Sequence, residues 1–235
     1  MTAAEIQEIT RTLGDADIAA HSQRFFKTGP GEYGEGDVFR GIRVPVLRKL
    51  ARRYRQLPRL EVLALLTSAY HEDRLLALLI LVQAFDSGDD QAKSAIYQMY
   101  LGHTRWINNW DLVDASAHKI VGPYLEERDR EPLYVLAQSV SLWERRIAII
   151  ATLHYIRLGQ FEDTLAIARL LLCDPEMLIH KAVGWMLREV GKREREVEES
   201  FLRSHYRTMP RTMLRYAIER FPEPTRKAYL AGTVE

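Results

Sequence analysis

Apolar residues along this chain recur at i, i+3, i+4 and i+7 rather than at every second position, which predicts helices and no strands. Leu60, Leu63 and Ala64 show the first three of these positions within one short segment, and Leu66 follows Leu63 by three. Prolines and polar breaks cut the pattern into helical pairs. Pro45 predicts a helix start at PVLRKLARRY, and Leu57-Pro58 predicts its end. RLEVLALLTS then pairs with HEDRLLALLILVQAFD, and Asp89 or Asp90 is placed to cap AKSAIYQMYLGH. A Trp-rich unit follows, TRWINNWDLVDASAHKIVGPYL. Beyond it EPLYVLAQSVS pairs with LWERRIAIIATLHYIRLG, FEDTLAIARLLLCD with PEMLIHKAVGWMLREVG, and VEESFLRSHYRTM with PRTMLRYAIERF, where Pro210 again opens a helix.

A charged residue heads an apolar run five times: Arg74, Asp111, Arg146, Lys181 and Arg215, at steps of 37, 35, 35 and 34 residues. A period of that size with two helices per unit predicts an α-solenoid, because a lone hairpin cannot bury its apolar face. The expected fold is therefore all-α, a single α-solenoid domain over residues 1–235. Stacking is expected to line up the repeated charged position on one concave, basic groove. The one long irregular stretch, Thr28–Val44, is rich in glycine but follows no strand and lacks a GKS or GKT ending. Glu32, Glu35 and Asp37 would also repel a phosphate, so it reads as a structured connector.

Composition narrows the partners. Apolar content of 47% and charged content of 28% are ordinary for a globular protein, and the formal net charge is only +1. A polyanion must then be met by a local basic surface rather than by overall charge. Cys173 lies in the apolar run ARLLLCDPEML and is expected to be a small buried hydrophobe. Met1–Asp17 lacks the apolar core of an export signal, and no stretch approaches the roughly 18 apolar residues that span a membrane, so a cytoplasmic location is expected. The seven histidines are scattered without HExxH, and no GxSxG occurs, so neither a metal nor a cofactor is implied.

One set of residues invites chemistry. Trp110 and Asp114 are four apart and share a helix face, Asp111 is three from Asp114, and Trp106 falls one more turn back. Arg146 leads its helix after Trp143, and Lys181 and Trp185 form a further i, i+4 pair with Arg188 near. Two readings fit: tryptophans that pack helices beside an Asp114–Arg146 ion pair, or an aromatic and acidic cleft suited to a sugar or nucleotide carrying developing positive charge.

The segments RFFKTGPGEYGEGDVFRGIRVPVLR, NNWDLVD, LWERRIAI, LIHKAVGWMLREVGKR and MPRTMLRYAIERF, in this order, make the chain resemble the AlkD-like DNA alkylation repair family of HEAT-like repeat glycosylases. The resemblance runs from Arg24 to Phe221. It implies cleft tryptophans at Trp110 and Trp185, the catalytic carboxylate at Asp114 and the key arginine at Arg146. It also places Phe25 on or next to the tyrosine of an N-terminal helix, a DNA contact that here lacks a hydroxyl. The implied activity is hydrolysis of N-glycosyl bonds in base excision repair, releasing positively charged purines of the 3-methyladenine and 7-methylguanine type. Its partner is duplex DNA with alkylated bases, with no membrane and no obligate protein partner. Lys181, Arg188, Lys192, Arg193, Arg211 and Arg215 are expected to track the DNA backbone, with a second patch at Arg43, Arg48, Arg52 and Arg53. Two alternatives remain: a non-catalytic DNA-binding helical-repeat protein that recognises damaged or branched DNA, and a protein-interaction scaffold.

Overall fold

A computed structural model describes residues 1–234 of the chain. Its described residues form helices and no strand, with an isolated bridge between Val38 and Tyr70. By internal contacts the chain divides into two compact units, Met1–Ser116 and Ala117–Glu235. None of the helices is long and apolar enough to cross a membrane among the described residues.

The first unit holds α1 (Ala3–Thr12), α2 (Ala16–Phe25), α3 (Val44–Arg53), α4 (Arg59–Leu66), α5 (His71–Ser87), α6 (Asp90–Gly102) and the start of α7 (Trp110–Tyr124). α5 is its core. Its LLALLILV run is apolar on all sides, and such a helix is stable only when neighbours cover it. α3 and α4 both pack on it, and Leu75, Leu76, Leu78, Ile80 and Leu81 are buried. α3 is amphipathic instead: Leu47, Leu50 and Ala51 face inward, while Arg48, Lys49, Arg52 and Arg53 are exposed. Pro45 opens α3 and Asp89 caps α6 by accepting from Ala92 N–H at 2.8 Å.

The head of α5 anchors the irregular segment. Glu72 is buried and accepts three backbone N–H groups, from Arg40 (2.9 Å), Gly41 (2.7 Å) and Ile42 (3.1 Å). Gly41 makes this turn possible. Its φ is +83°, and a Cβ there would sit 2.0 Å from the Asp15 carbonyl oxygen. Asp73, also buried, accepts from Thr10, Ser68 and Arg40 at 2.8–3.3 Å, tying α1 to the same point. The residues 28–44 are thus a pinned connector, as the glycine and acid pattern suggested.

The second unit holds the rest of α7, α8 (Glu131–Ala137), α9 (Leu142–Ala151), α10 (Leu153–Arg157), α11 (Glu162–Leu170), α12 (Met177–Gly191), α13 (Arg195–His205), α14 (Arg211–Ala217) and α15 (Glu223–Ala231). α12 is its hub, packed by α9, α11, α13 and α14. Gly184 lets α14 approach, since a Cβ there would meet the Met213 carbonyl oxygen at 2.4 Å. LWERRIAIIATLHYIRLG is not one helix. Buried Thr152 turns its hydroxyl back onto the Ile149 carbonyl at 2.7 Å, and the chain breaks there into α9 and α10. Cys173 is exposed rather than buried. α11 ends at Leu170, so the following turn sends Leu171 and Leu172 inward and Cys173 outward.

The repeat register also shifts. Ser68, Ser139 and Asp174 each accept, through the side chain, the N–H two residues on, at 3.2, 3.0 and 2.8 Å. Each also accepts, through its carbonyl, a side-chain nitrogen six residues on: Arg74, Arg145 and His180, at 3.0, 2.9 and 2.5 Å. These equivalent residues are 71 and 35 positions apart. Arg146 and Lys181 therefore lie one residue beyond the repeated position, turned about 100° round the helix from it. Adjacent cations at 145–146 and a histidine beside Lys181 hide this offset in the charge pattern.

Candidate active site

α7 begins where Asn109, fully buried, accepts the Trp110 N–H on its side-chain oxygen at 2.9 Å and donates to Asp37 at 3.3 Å. Trp110 is half-buried, and Phe26 stacks on it with ring centres 5.3 Å apart and planes 25° apart. Phe25, 56% exposed, meets the same indole edge-on at 5.9 Å. Offset and edge contacts of this kind are favourable and fix a ring's orientation. One helical turn on, Asp114 is half-buried on the face of Trp110. Trp106 does not extend that face, because it belongs to a separate 3-10 turn, Thr104–Trp106.

The neighbouring Asp111 has another role. Its Oδ2 lies 2.8 Å from His71 Nε2, and His71 Nδ1 lies 2.9 Å from Asp37. Arg74 pairs with the other oxygen of Asp37. Burial opposes charge on both groups, yet the two carboxylates raise His71 to about 9, and His71 with Arg74 holds Asp37 below the usual carboxylate range. Buried Tyr100 shares a hydrogen bond with Ser116 at 2.9 Å, and burial together with the Asp114 charge keeps its phenol protonated.

In the second unit Arg146 is only 5% exposed, and its Nη1 donates to the Leu178 carbonyl at 2.6 Å in the first turn of α12. Trp185 is half-buried on α12 and donates its indole N–H to Glu189 at 3.0 Å. Lys181 is half-buried one turn earlier. The cations expected to track DNA divide into two groups. Arg188 pairs with Glu219, Lys192 with Glu189 at 2.5 Å, and exposed Arg211 donates to the Leu230 carbonyl at 2.5 Å. Arg193 and Arg215 are exposed. The densest basic surface is in the first unit, where Arg43, Arg48, Lys49, Arg52, Arg53, Arg55 and Arg59 are all exposed with no acid between them in sequence. Like charges four apart on α3 cost about 0.2–0.5 kcal/mol per pair.

A family model described as DNA alkylation repair enzyme matches residues 6–221. The chain belongs to that family. A solved structure from Enterococcus faecalis, named as a predicted DNA alkylation repair enzyme, shares the fold of this family member with a TM-score of 0.69 and 18% identity, over 89% of this chain and 97% of that one. None of the curated proteins matches it. As a DNA alkylation repair enzyme it acts in repair of alkylated DNA. The residues that the sequence pattern did not disclose are Asp37, His71 and Glu72. Each takes a partner 30 to 40 residues away, a distance at which no local periodicity signals it.

Proposed function

We propose that this DNA alkylation repair enzyme is a glycosylase that releases positively charged alkylated purines from duplex DNA. One observation carries the reading: an indole held by Phe26 and bordered by exposed Phe25 lies one turn from the half-buried Asp114, while Asp111 is engaged by a cation. A cationic purine departs as a neutral base, its nitrogen taking the electron pair of the glycosidic bond, so no general acid is required. Positive charge then builds on the deoxyribose. A carboxylate near 4 Å stabilises a unit charge by about 4 kcal/mol at an effective dielectric of 20. Water adds at the vacated carbon and loses its proton, for which Asp114 is the acceptor in this reading.

Trp110 packs its π face on the sugar, worth roughly 0.5–2 kcal/mol toward a cation. In this reading Arg146, whose guanidinium suits a phosphate, contacts the DNA backbone, and Trp185 keeps the cleft-tryptophan part that the family resemblance implies. The exposed cations from Arg43 to Arg59 supply sequence-independent attraction to the backbone. The test is to incubate the protein with methylated duplex DNA and identify what is freed. Free 7-methylguanine or 3-methyladenine is expected. Tight, salt-sensitive binding with intact glycosidic bonds would instead make this a DNA-binding protein without the chemistry.

A further inference from the structure

Both ring nitrogens of His71 face carboxylate oxygens, Nδ1 toward Asp37 at 2.9 Å and Nε2 toward Asp111 at 2.8 Å. A neutral imidazole has one N–H and one lone pair, so it would set that lone pair against a carboxylate on one side. Only the doubly protonated cation donates to both. The ring is 2% exposed and sits against Phe39 (4.6 Å) and Phe26 (5.0 Å), whose π faces favour a cation. The charged groups around it are Asp37 from the irregular segment, Asp111 from α7, and Arg74 from α5 itself, which pairs with Asp37.

Two contacts run from this ring to the candidate site. One is the bond to Asp111 in the first turn of α7, three residues before Asp114. The other passes through Phe26, which stacks on the Trp110 indole. Resting on the glycosylase reading, we propose that His71 is a positioning residue for base excision: as an imidazolium it clamps the first turn of α7 and so sets Trp110 and Asp114. Deprotonation removes one of the two N–H donors, so one carboxylate faces a lone pair and the link through His71 from the irregular segment to the first turn of α7 is weakened. Because the folded value is raised to about 9, the clamp is closed at neutral pH and opens as pH rises through that value.

Single-turnover release of 7-methylguanine should hold level through neutral pH and fall with a midpoint near 9. His71→Gln should be ~10-fold slower or more at neutral pH, bind duplex within ~2-fold of wild type, and lose that limb. Two spectra test the clamp without catalysis. Nitrogen-15 resonances of His71 should show both ring nitrogens protonated at neutral pH. In fluorotryptophan-labelled protein the Trp110 signal, assigned through Trp110→Phe, should shift with the same midpoint, and not in His71→Gln. A ring nitrogen lacking its proton at neutral pH, or a Trp110 signal indifferent to the titration, overturns the positioning role even where base is released. A wild type that frees no base while both spectra behave as expected refutes the glycosylase reading and leaves the clamp standing.

Discussion

Glu72→Gln isolates the contact that pins the irregular segment to α5. In the wild type one carboxylate oxygen accepts Gly41 N–H (2.7 Å) and Ile42 N–H (3.1 Å), and the other accepts Arg40 N–H (2.9 Å). Gln has the same shape, but its NH2 cannot accept. The better orientation keeps the oxygen on Gly41 and Ile42 and sets NH2 against Arg40 N–H. That removes one charge-assisted bond, about 1.5–3 kcal/mol, and weakens two others by about 0.5 kcal/mol each once the charge is gone. The expected destabilisation is about 2.5–4 kcal/mol, a large part of a typical 5–15 kcal/mol. Urea unfolding followed by far-UV circular dichroism measures it, and limited proteolysis should gain a cut within residues 28–44. A variant within ~0.5 kcal/mol of wild type, with no new cut, would refute the anchoring argument.

Burial pushes the Glu198 carboxyl up to about 8, with Glu199 adding to it and Arg195 and Arg188 opposing. The folded chain then holds a proton that the unfolded chain releases above about 4.5, so this residue's contribution falls as pH rises from there toward 8. Glu198→Gln should therefore gain on wild type by up to roughly 4 kcal/mol as pH rises from about 4.5 to about 8, and a difference in urea midpoint that does not change with pH would contradict this. Arg146→Ala should weaken both duplex binding and base release, and an unimpaired variant would show the phosphate role misassigned. Replacing Arg48, Lys49, Arg52 and Arg53 together by Gln should flatten the slope of log K against log salt by about 2–4, at roughly 0.9 for each phosphate no longer neutralised. An unchanged slope would move the DNA-binding surface away from α3.

The fold and the shared helix face of Trp110 and Asp114 were legible in the order of residues, because both rest on local spacing. Trp110 and Asp114 share a face through a four-residue step that any helix enforces. Asp89, Pro45 and Pro210 act at helix starts through their own backbone and side-chain chemistry. The repeat was visible but misplaced by one residue, since Arg145 and Arg146 are identical side chains. Their partners tell them apart: Arg145 donates to the Ser139 carbonyl and pairs with Asp174, while buried Arg146 donates to the Leu178 carbonyl. Cys173 misled because its apolar run outlasts the helix that would bury it. The Asp37–His71–Asp111 chain was hidden for a different reason. Each residue is ordinary in its own segment and acquires meaning only when three distant segments meet.

The central claim is that the Asp114 carboxylate stabilises a cationic sugar. Single-turnover release of 7-methylguanine from a methylated duplex, compared between wild type and Asp114→Asn, tests it most directly. About 4 kcal/mol of charge stabilisation corresponds to a loss on the order of 10³-fold in rate. Duplex affinity should stay within a few-fold, as a neutral amide of the same shape leaves the DNA surface intact. An Asp114→Asn protein that frees base at a rate near wild type would contradict the account.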